Sequence, residues 1–245
     1  VNDFIWCDLS AYEPDNAATF YADVLGWRVE QGAYRFAFCG DEPVAALFEM
    51  PEFFRRIEMP SFWMSYIQVP SVQKAVEAAK AHGGKVELED SFEEDGRIAL
   101  IRDPLGAGFT VYEGTMQAGA FGFARSGLRA AHDLHISDIG AVEGFYRAVF
   151  GWTVERGGGE AAYFASATQP VARIHETSDA ARGGFQYWGI TFTVADLNAA
   201  ARMIESSGGM LYPEMTHAGR RVLSGADSEG AAFFLTEAGA KADNE

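Results

Sequence analysis

Cysteine is scarce in this 245-residue sequence, and so is positive charge. Only Cys7 and Cys39 occur, each inside an apolar run with the character of a strand. Two such residues make no disulfide framework, and they read as buried thiols of a chain kept in a reducing compartment. Long apolar runs are also missing. None approaches the ~18 residues a membrane-crossing helix needs, and Val1-Asn2-Asp3 lacks the basic and apolar regions of a secretion signal. These absences lead to the expectation of a soluble, cytoplasmic protein. Lysine and arginine number 19 against 35 aspartates and glutamates, a formal net charge of −16. Such a surface repels phosphate backbones and anionic lipid, so neither nucleic acid nor a membrane is an expected partner. Acidity of this kind commonly serves solubility, and its sharper use is to attract a cationic ligand. The rest, 48% hydrophobic and 22% charged, suits one large globular domain or two small ones.

Within that composition lies a repeat. Phe20-Tyr21-Ala22-Asp23-Val24-Leu25-Gly26-Trp27 returns 125 positions later as Phe145-Tyr146-Arg147-Ala148-Val149-Phe150-Gly151-Trp152. The same offset links Asp8 with Asp133, Trp63 with Trp188, and Gly83-Gly84 with Gly208-Gly209. After a one-residue deletion an offset of 124 links Arg97 with Arg221 and Asp103 with Asp227. Agreement in register over half a chain means duplication. A fainter echo at 58 positions, Cys7-Asp8-Leu9 against Ser65-Tyr66-Ile67, divides each half again.

Each quarter has the same internal order. Phe4 to Leu9 alternates like a strand, and Pro14-Asp15 open a helix carrying Ala17, Phe20, Tyr21, Val24 and Leu25 at helical spacing. Gly26 supplies the stop, and three further strands follow. In the second quarter Ser71 caps the helix, and Asp103-Pro104-Leu105-Gly106 makes a tight turn before the last strand. Residues 50–60 read as a loop between the two quarters. The expectation is an α+β fold of four βαβββ modules at 4–49, 61–114, 131–176 and 185–237. They pair into domains at 4–114 and 131–237, joined by a Gly-, Ala- and Ser-rich linker at 115–130. One helix covers one face of a small curved mixed sheet, so modules must pair, and their open faces enclose a cleft. Strand parity sends Trp6, Asp8 and Ser10 to that cleft, with Met64, Tyr66 and Gln68 from the second module. The third and fourth modules send Ala131, Asp133 and His135, and Gly189, Thr191 and Thr193.

Chemistry-bearing candidates follow from this parity. Asp8 and Asp133 occupy equivalent places, where an apolar cleft would disfavour their charge and suit them to act as general bases. The plain alternative is that each accepts hydrogen bonds and fixes the sheet. His135 is two strand positions from Asp133, about 6–7 Å away, close enough to share a proton or an ion, and the plain alternative is a structural histidine near a strand end. Its neighbour His132 points the other way, as a core histidine, while His175 and His217 lie near loops without an assignable partner. Trp6, Trp63, Tyr66 and Trp188 offer stacking surfaces for a flat or cationic ligand, or else close the core. Arg97 and Arg221 can anchor a ligand carboxylate or pair with the aspartates. Glu87, Glu89, Asp90, Glu93, Glu94 and Asp95 read as a solvated acidic loop.

The four ordered modules, the Phe-Tyr helix ending in Leu25-Gly26-Trp27 or Phe150-Gly151-Trp152, and the turns at Asp103 and Asp227 resemble the vicinal oxygen chelate superfamily. That superfamily includes glyoxalases, bleomycin-resistance proteins and extradiol dioxygenases, and the likeness is to its two-domain, four-module glyoxalase-like branch. It implies paired glyoxalase-like domains and, in catalytic members, a divalent metal held by His, Gln or Glu on first and last strands. Counted onto this sequence, the first-strand positions fall on Trp6, Met64, Ala131 and Gly189, and the last-strand positions on Thr110 and Phe234. None is a competent ligand, so no cofactor is expected and a divalent metal is the departure to test for. Two readings follow. One is a binding protein that holds a small molecule in an aromatic, acidic cleft without the usual metal. The other is a glyoxalase-like lyase or isomerase, or a dioxygenase, acting on a small oxygenated substrate. The expected partner is a small-molecule ligand, and the chain is a monomer with pseudo-twofold domains or a homodimer.

Overall fold

A computed structural model describes residues 2–92, 96–115, 131–157, 162–167, 169–217 and 220–238, with backbone only for Phe92 and His217. Residues 116–130 of the expected linker, and Glu93, Glu94 and Asp95 of the acidic stretch, lie outside the described residues. The first half runs β1 (Phe4–Ala11), α1 (Pro14–Leu25), β2 (Arg28–Val29), β3 (Tyr34–Cys39), β4 (Glu42–Glu49) and α2 (Glu52–Arg56). It continues with β5 (Phe62–Gln68), α3 (Val72–Ala81), β6 (Lys85–Phe92), β7 (Gly96–Arg102) and β8 (Gly108–Glu113). The second half repeats the order through β9 (Ala131–Ile136), α4 (Gly140–Phe150), β10 (Thr153–Arg156), β11 (Ala162–Ala165), β12 (Pro170–Glu176) and α5 (Asp179–Arg182). It ends with β13 (Tyr187–Val194), α6 (Leu197–Ser206), β14 (Met210–Leu211), β15 (Met215–His217), β16 (Arg220–Ala226) and β17 (Ala232–Glu237).

This is the α+β fold that the repeat predicts, with two open mixed sheets. One has the strand order β2-β3-β4-β1-β5-β8-β7-β6 and the other β10-β11-β12-β9-β13-β17-β16-β14, with β15 added on β16. In both, the fourth strand of a module returns to lie parallel beside the first: β4 on β1 and β12 on β9.

The helices form where spacing and caps dictate. Pro14 starts α1, whose preset φ suits a first turn, and Gly26 closes it at φ 69°. Its buried stripe is Ala17, Phe20, Tyr21 and Val24. In α4 the stripe is Val142, Phe145, Tyr146 and Phe150, closed by Gly151 at φ 71°. Ser71 caps α3 by accepting from the Lys74 amide, and Asp196 caps α6 through the Asn198 and Ala199 amides.

Two expectations are corrected. The loop at 50–60 contains α2, and its counterpart contains α5. Each is a single short turn with too few residues for a periodic signal, and an arginine pins it in place. Arg55 donates to the carbonyls of Met50 and Tyr12, while the buried Arg182 donates to those of Thr177 and Phe185. The acidic residues Glu87, Glu89 and Asp90 belong to β6, not to a loop. Burial works against the Glu87 carboxyl, but Arg102 and Lys85 beside it hold its pKa below the ordinary value.

The described chain divides into two compact units. The first holds residues 2–6, 64–115 and 132–189, joining the second module to the third; the second holds 7–63, 131 and 190–238, joining the first module to the fourth. Each has its own apolar core. In the first unit Trp188 Nε1 donates to the Tyr146 hydroxyl at 3.0 Å, which donates to Asp103 Oδ2 at 3.0 Å. Asp103 Oδ1 accepts the amides of Leu105, Gly106 and Ala107 and so makes the turn. The second unit repeats the chain: Trp63 Nε1 to Tyr21 at 2.8 Å, then Tyr21 to Asp227 Oδ2 at 3.0 Å. Burial raises the pKa of both aspartates, and the hydrogen bonds they accept oppose that shift. The paired glycines have separate tasks. Gly83 and Gly208 take left-handed φ values of 85° and 82°. Gly84 and Gly209 lie under aromatic rings, where an added Cβ would come within 2.5 Å of Phe145 and 2.7 Å of Phe20.

Candidate functional site

Strand alternation decides which side chains of the first strands enter the cores. On β1, Cys7, Leu9 and Ala11 enter the core of the second unit, so Asp8 and Ser10 occupy the other face. On β9, Leu134 and Ile136 enter the core of the first unit, which leaves Asp133 and His135 on the opposite face.

In the second unit Asp8 is 1% exposed. The Tyr34 hydroxyl donates to its Oδ2 at 3.1 Å. Register sets Asp8 beside Ala46 and Ser10 beside Phe48, and across the next pair it sets Tyr34 beside Phe48 and Phe36 beside Ala46. The Tyr34 ring lies 5.3 Å from Phe36 and 5.8 Å from Phe48. Tyr34 itself is 41% exposed, so this group of rings reaches solvent. Behind it Cys7 is inert, because burial first and the Asp8 charge second push its thiol well above the ordinary range.

In the first unit Asp133 is 4% exposed and His135 5%. Register on β12 sets Arg173 beside Asp133 and His175 beside His135. His175 Nε2 stands 4.0 Å from Asp133 Oδ2, an ion-pair distance too long for a direct hydrogen bond. The His135 ring is sandwiched, 4.6 Å from His175 at 15° and 4.8 Å from Tyr187 at 14°. A carboxylate and an imidazole at this separation are groups able to move a proton on a molecule held between them.

The divalent metal of the resembled family does not fit these residues. The positions counted for its ligands carry Trp6, Met64, Thr110, Ala131, Gly189 and Phe234. Register sets Tyr66 beside Thr110 and Thr191 beside Phe234, each two places along its strand from Met64 and Gly189. His135 and His175 do not substitute. Imidazole lone pairs lie in the ring plane, and two stacked, nearly parallel rings aim them along parallel planes rather than at one ion. Among the described residues no group of three or more His, Cys, Asp or Glu side chains can hold a metal.

The other residues singled out from the sequence are dispersed. Trp6 is 1% exposed on β1 and Tyr66 is half-buried on β5. Trp63 and Trp188 stand in the two cores, bound through their indole N–H groups to Tyr21 and Tyr146. That placement is the core alternative weighed for them. Arg97 is exposed on β7, beside Glu113 in register. Arg221 is exposed and pairs with Glu214 at 2.7 Å and Asn198 at 2.8 Å. His132 is the core histidine its parity predicts. It stacks on Phe4 at 4.1 Å, lies 2.8 Å from the Ser65 hydroxyl, and burial lowers its pKa to about 3.

Reasoning from sequence passed over Tyr34, Phe36, Phe48, His175 and Tyr187. The signal was available in the duplication: Glu49 and Glu176 end matching strands, so Phe48 and His175 are counterparts. What it could not supply was the parallel return of β4 and β12 onto the first strands.

Residues 5–112 match the family model of the glyoxalase-like domain. CFP32 of Mycobacterium tuberculosis, provisionally named a glyoxylase, is 28% identical, covering 94% of this chain and 92% of its own. The anthracycline biosynthesis protein DauV of Streptomyces sp. is 27% identical, covering 95% of this chain and 92% of its own. Among solved structures, the 2,3-dioxygenase LapB of Pseudomonas sp. superposes with a TM-score of 0.62 at 13% identity, over 99% of this chain and 95% of LapB. Likeness at that identity speaks for the fold alone.

Proposed function

Given a chain whose first half is a glyoxalase-like domain and whose fold is that of the vicinal oxygen chelate proteins, we propose that it binds a small organic molecule without the usual metal centre. One observation carries the reading. The ligand positions of the family hold no donor set, while a buried aspartate stands at the matching place of both halves, with aromatic side chains near it. A buried carboxylate orients a polar group of a ligand, and rings cover its apolar part. DauV, named for anthracycline biosynthesis, lends support to a ring-bearing, oxygenated ligand.

A second reading rests on the first unit. His175 at 4.0 Å from Asp133 can take a proton from an oxygenated substrate and return it to another atom of the same molecule. This is the proton work of a lyase or isomerase, and it favours that member of the enzymatic alternatives. Asp133 would stabilise the imidazolium, and the His135–Tyr187 stack would hold the imidazole in place.

Thermal-shift measurements test the main reading. The panel is aromatic amines, aromatic acids and hydroxylated quinones, each with and without EDTA. At least one class should raise the melting temperature equally in both conditions, since a ligand at about 100 times its Kd adds about 2.7 kcal/mol. Elemental analysis should find no stoichiometric Zn, Ni, Fe or Mn. A panel without effect, or stabilisation that appears only with one bound metal per chain, would count against the reading.

A further inference from the structure

Strand β6 closes one end of the first half's sheet and pairs with β7. The pairing is not regular. Val86 lies beside Ile101 and Leu88 beside Leu100, so Glu87 is the extra residue of a β-bulge. Regular pairing onward from Val86 would set Leu88 beside Ala99, on the face that enters the core of the first unit. The bulge turns Leu88 to the opposite face instead. It also turns Glu89 to the helix side, where it pairs with Lys80 of α3 at 3.3 Å. Glu87 is held in place by Arg102 at 3.0 Å and Lys85 at 3.2 Å. Leu88 then ends a row across the strands, with Tyr66 beside Thr110, Thr110 beside Leu100, and Leu100 beside Leu88. Thr110 and Leu100 are buried and Leu88 is 51% exposed, so the row opens to solvent at Leu88. The other half is built differently there. It has Tyr212 and Pro213 for Glu87 and Leu88, Ala226 for Arg102, and β14 stops at Leu211.

We propose that Leu88 is a specificity-determining residue that receives the apolar end of the ligand, and that Glu87 is a positioning residue that aims it. This rests on the small-molecule reading above and adds to it the residue that reads ligand length. A lone exposed leucine is ordinary. This one is kept off the core face by a bulge that Arg102 and Lys85 hold through Glu87. Bulges next to a site re-aim a side chain in this way. The row ties Leu88 to Thr110, one of the places counted for the family's metal ligands. Two strand spacings, about 10 Å, separate them, so a ligand needs an apolar arm of that order to span from the inner part of the row to its mouth. Each methylene of the arm that leaves water against Leu88 gains about fourfold in affinity. Because the bulge and its ion pairs occur in one half, the effect belongs to one site per chain.

Isothermal titration of the intact chain with phenol and its 4-ethyl, 4-butyl and 4-hexyl derivatives tests this. Affinity should rise with chain length, by about fourfold for each methylene that reaches Leu88. Leu88→Ser should flatten the rise from butyl to hexyl, and Leu88→Met should keep it. Leu88 lies on the surface, so both variants should keep the circular dichroism of the wild type. Glu87→Ala should flatten the rise as well, whereas Glu87→Gln, which still accepts from Arg102, should retain it. A residue that only stabilised the fold would lower the melting temperature and leave the length dependence alone. No binding in the series, no rise with length, or the same rise in Leu88→Ser would overturn the proposal. If other panel compounds stabilise the protein while chain length has no effect, the Leu88 assignment fails and the small-molecule reading stands. If nothing in the panel or the series binds, both fail.

Discussion

Acidification probes the burial of His132 directly. Its ring stacks on Phe4 and bonds to Ser65 within the first unit, and burial lowers its pKa from an ordinary 6.5 to about 3. A base whose folded-state pKa is depressed contributes stability that is complete above pH ~6.5 and is lost as pH falls from there towards about 3. At pH 5 the folded state keeps the ring neutral, while an unfolded chain gains about 2 kcal/mol by protonating it. At pH 7 the same gain is only about 0.2 kcal/mol. Urea unfolding of the wild type and His132→Phe at pH 7 and pH 5 isolates this quantity. Phenylalanine keeps the stack on Phe4 and gives up the Ser65 contact, a loss that does not depend on pH over this interval. The wild type should lose about 2 kcal/mol more than the variant on going from pH 7 to pH 5. Carboxylates such as Asp103 and Asp227 titrate alike in both proteins and cancel. A difference below about 0.5 kcal/mol, inside the scatter of such measurements, would mean that water or a proton reaches the ring in the folded state.

The repeated Trp–Tyr–Asp chains and the paired glycines carry further predictions. Tyr146→Phe or Tyr21→Phe leaves an indole N–H and a buried carboxylate oxygen without the shared hydroxyl. Each should cost about 1–3 kcal/mol in denaturant unfolding, and a neutral effect would show that the hydroxyls only fill space. Gly84→Ala drives a methyl to 2.5 Å from the Phe145 ring and 3.0 Å from the Arg102 carbonyl. It should cost about 1–3 kcal/mol by overpacking, and a melting temperature equal to the wild type would show that helix and ring move apart freely.

Much of the scaffold was legible because its causes are local. The Phe-Tyr to Gly-Trp phrase is one helical face, a left-handed stop and the next strand, all within a dozen residues, so its recurrence marked both halves. Parity on β1 and β9 was legible for the same reason, since a strand alternates with a period of two whatever lies around it. The positions at which the resembled family carries its metal ligands were readable too, because they are counts along the chain. Two features were settled only by tertiary structure. Trp63 and Trp188 had even claims on ligand and core until their N–H groups met Tyr21 and Tyr146. His175 had no partner until β12 came back parallel to β9 and set it beside His135 and within 4.0 Å of Asp133. Those pairings join residues about 40 positions apart, whose register depends on the packing of the whole sheet and not on any preference of the segments themselves. The duplicated sequence makes the two halves look alike; only that register shows that Asp8 is met by alanine and phenylalanine, and Asp133 by arginine and histidine.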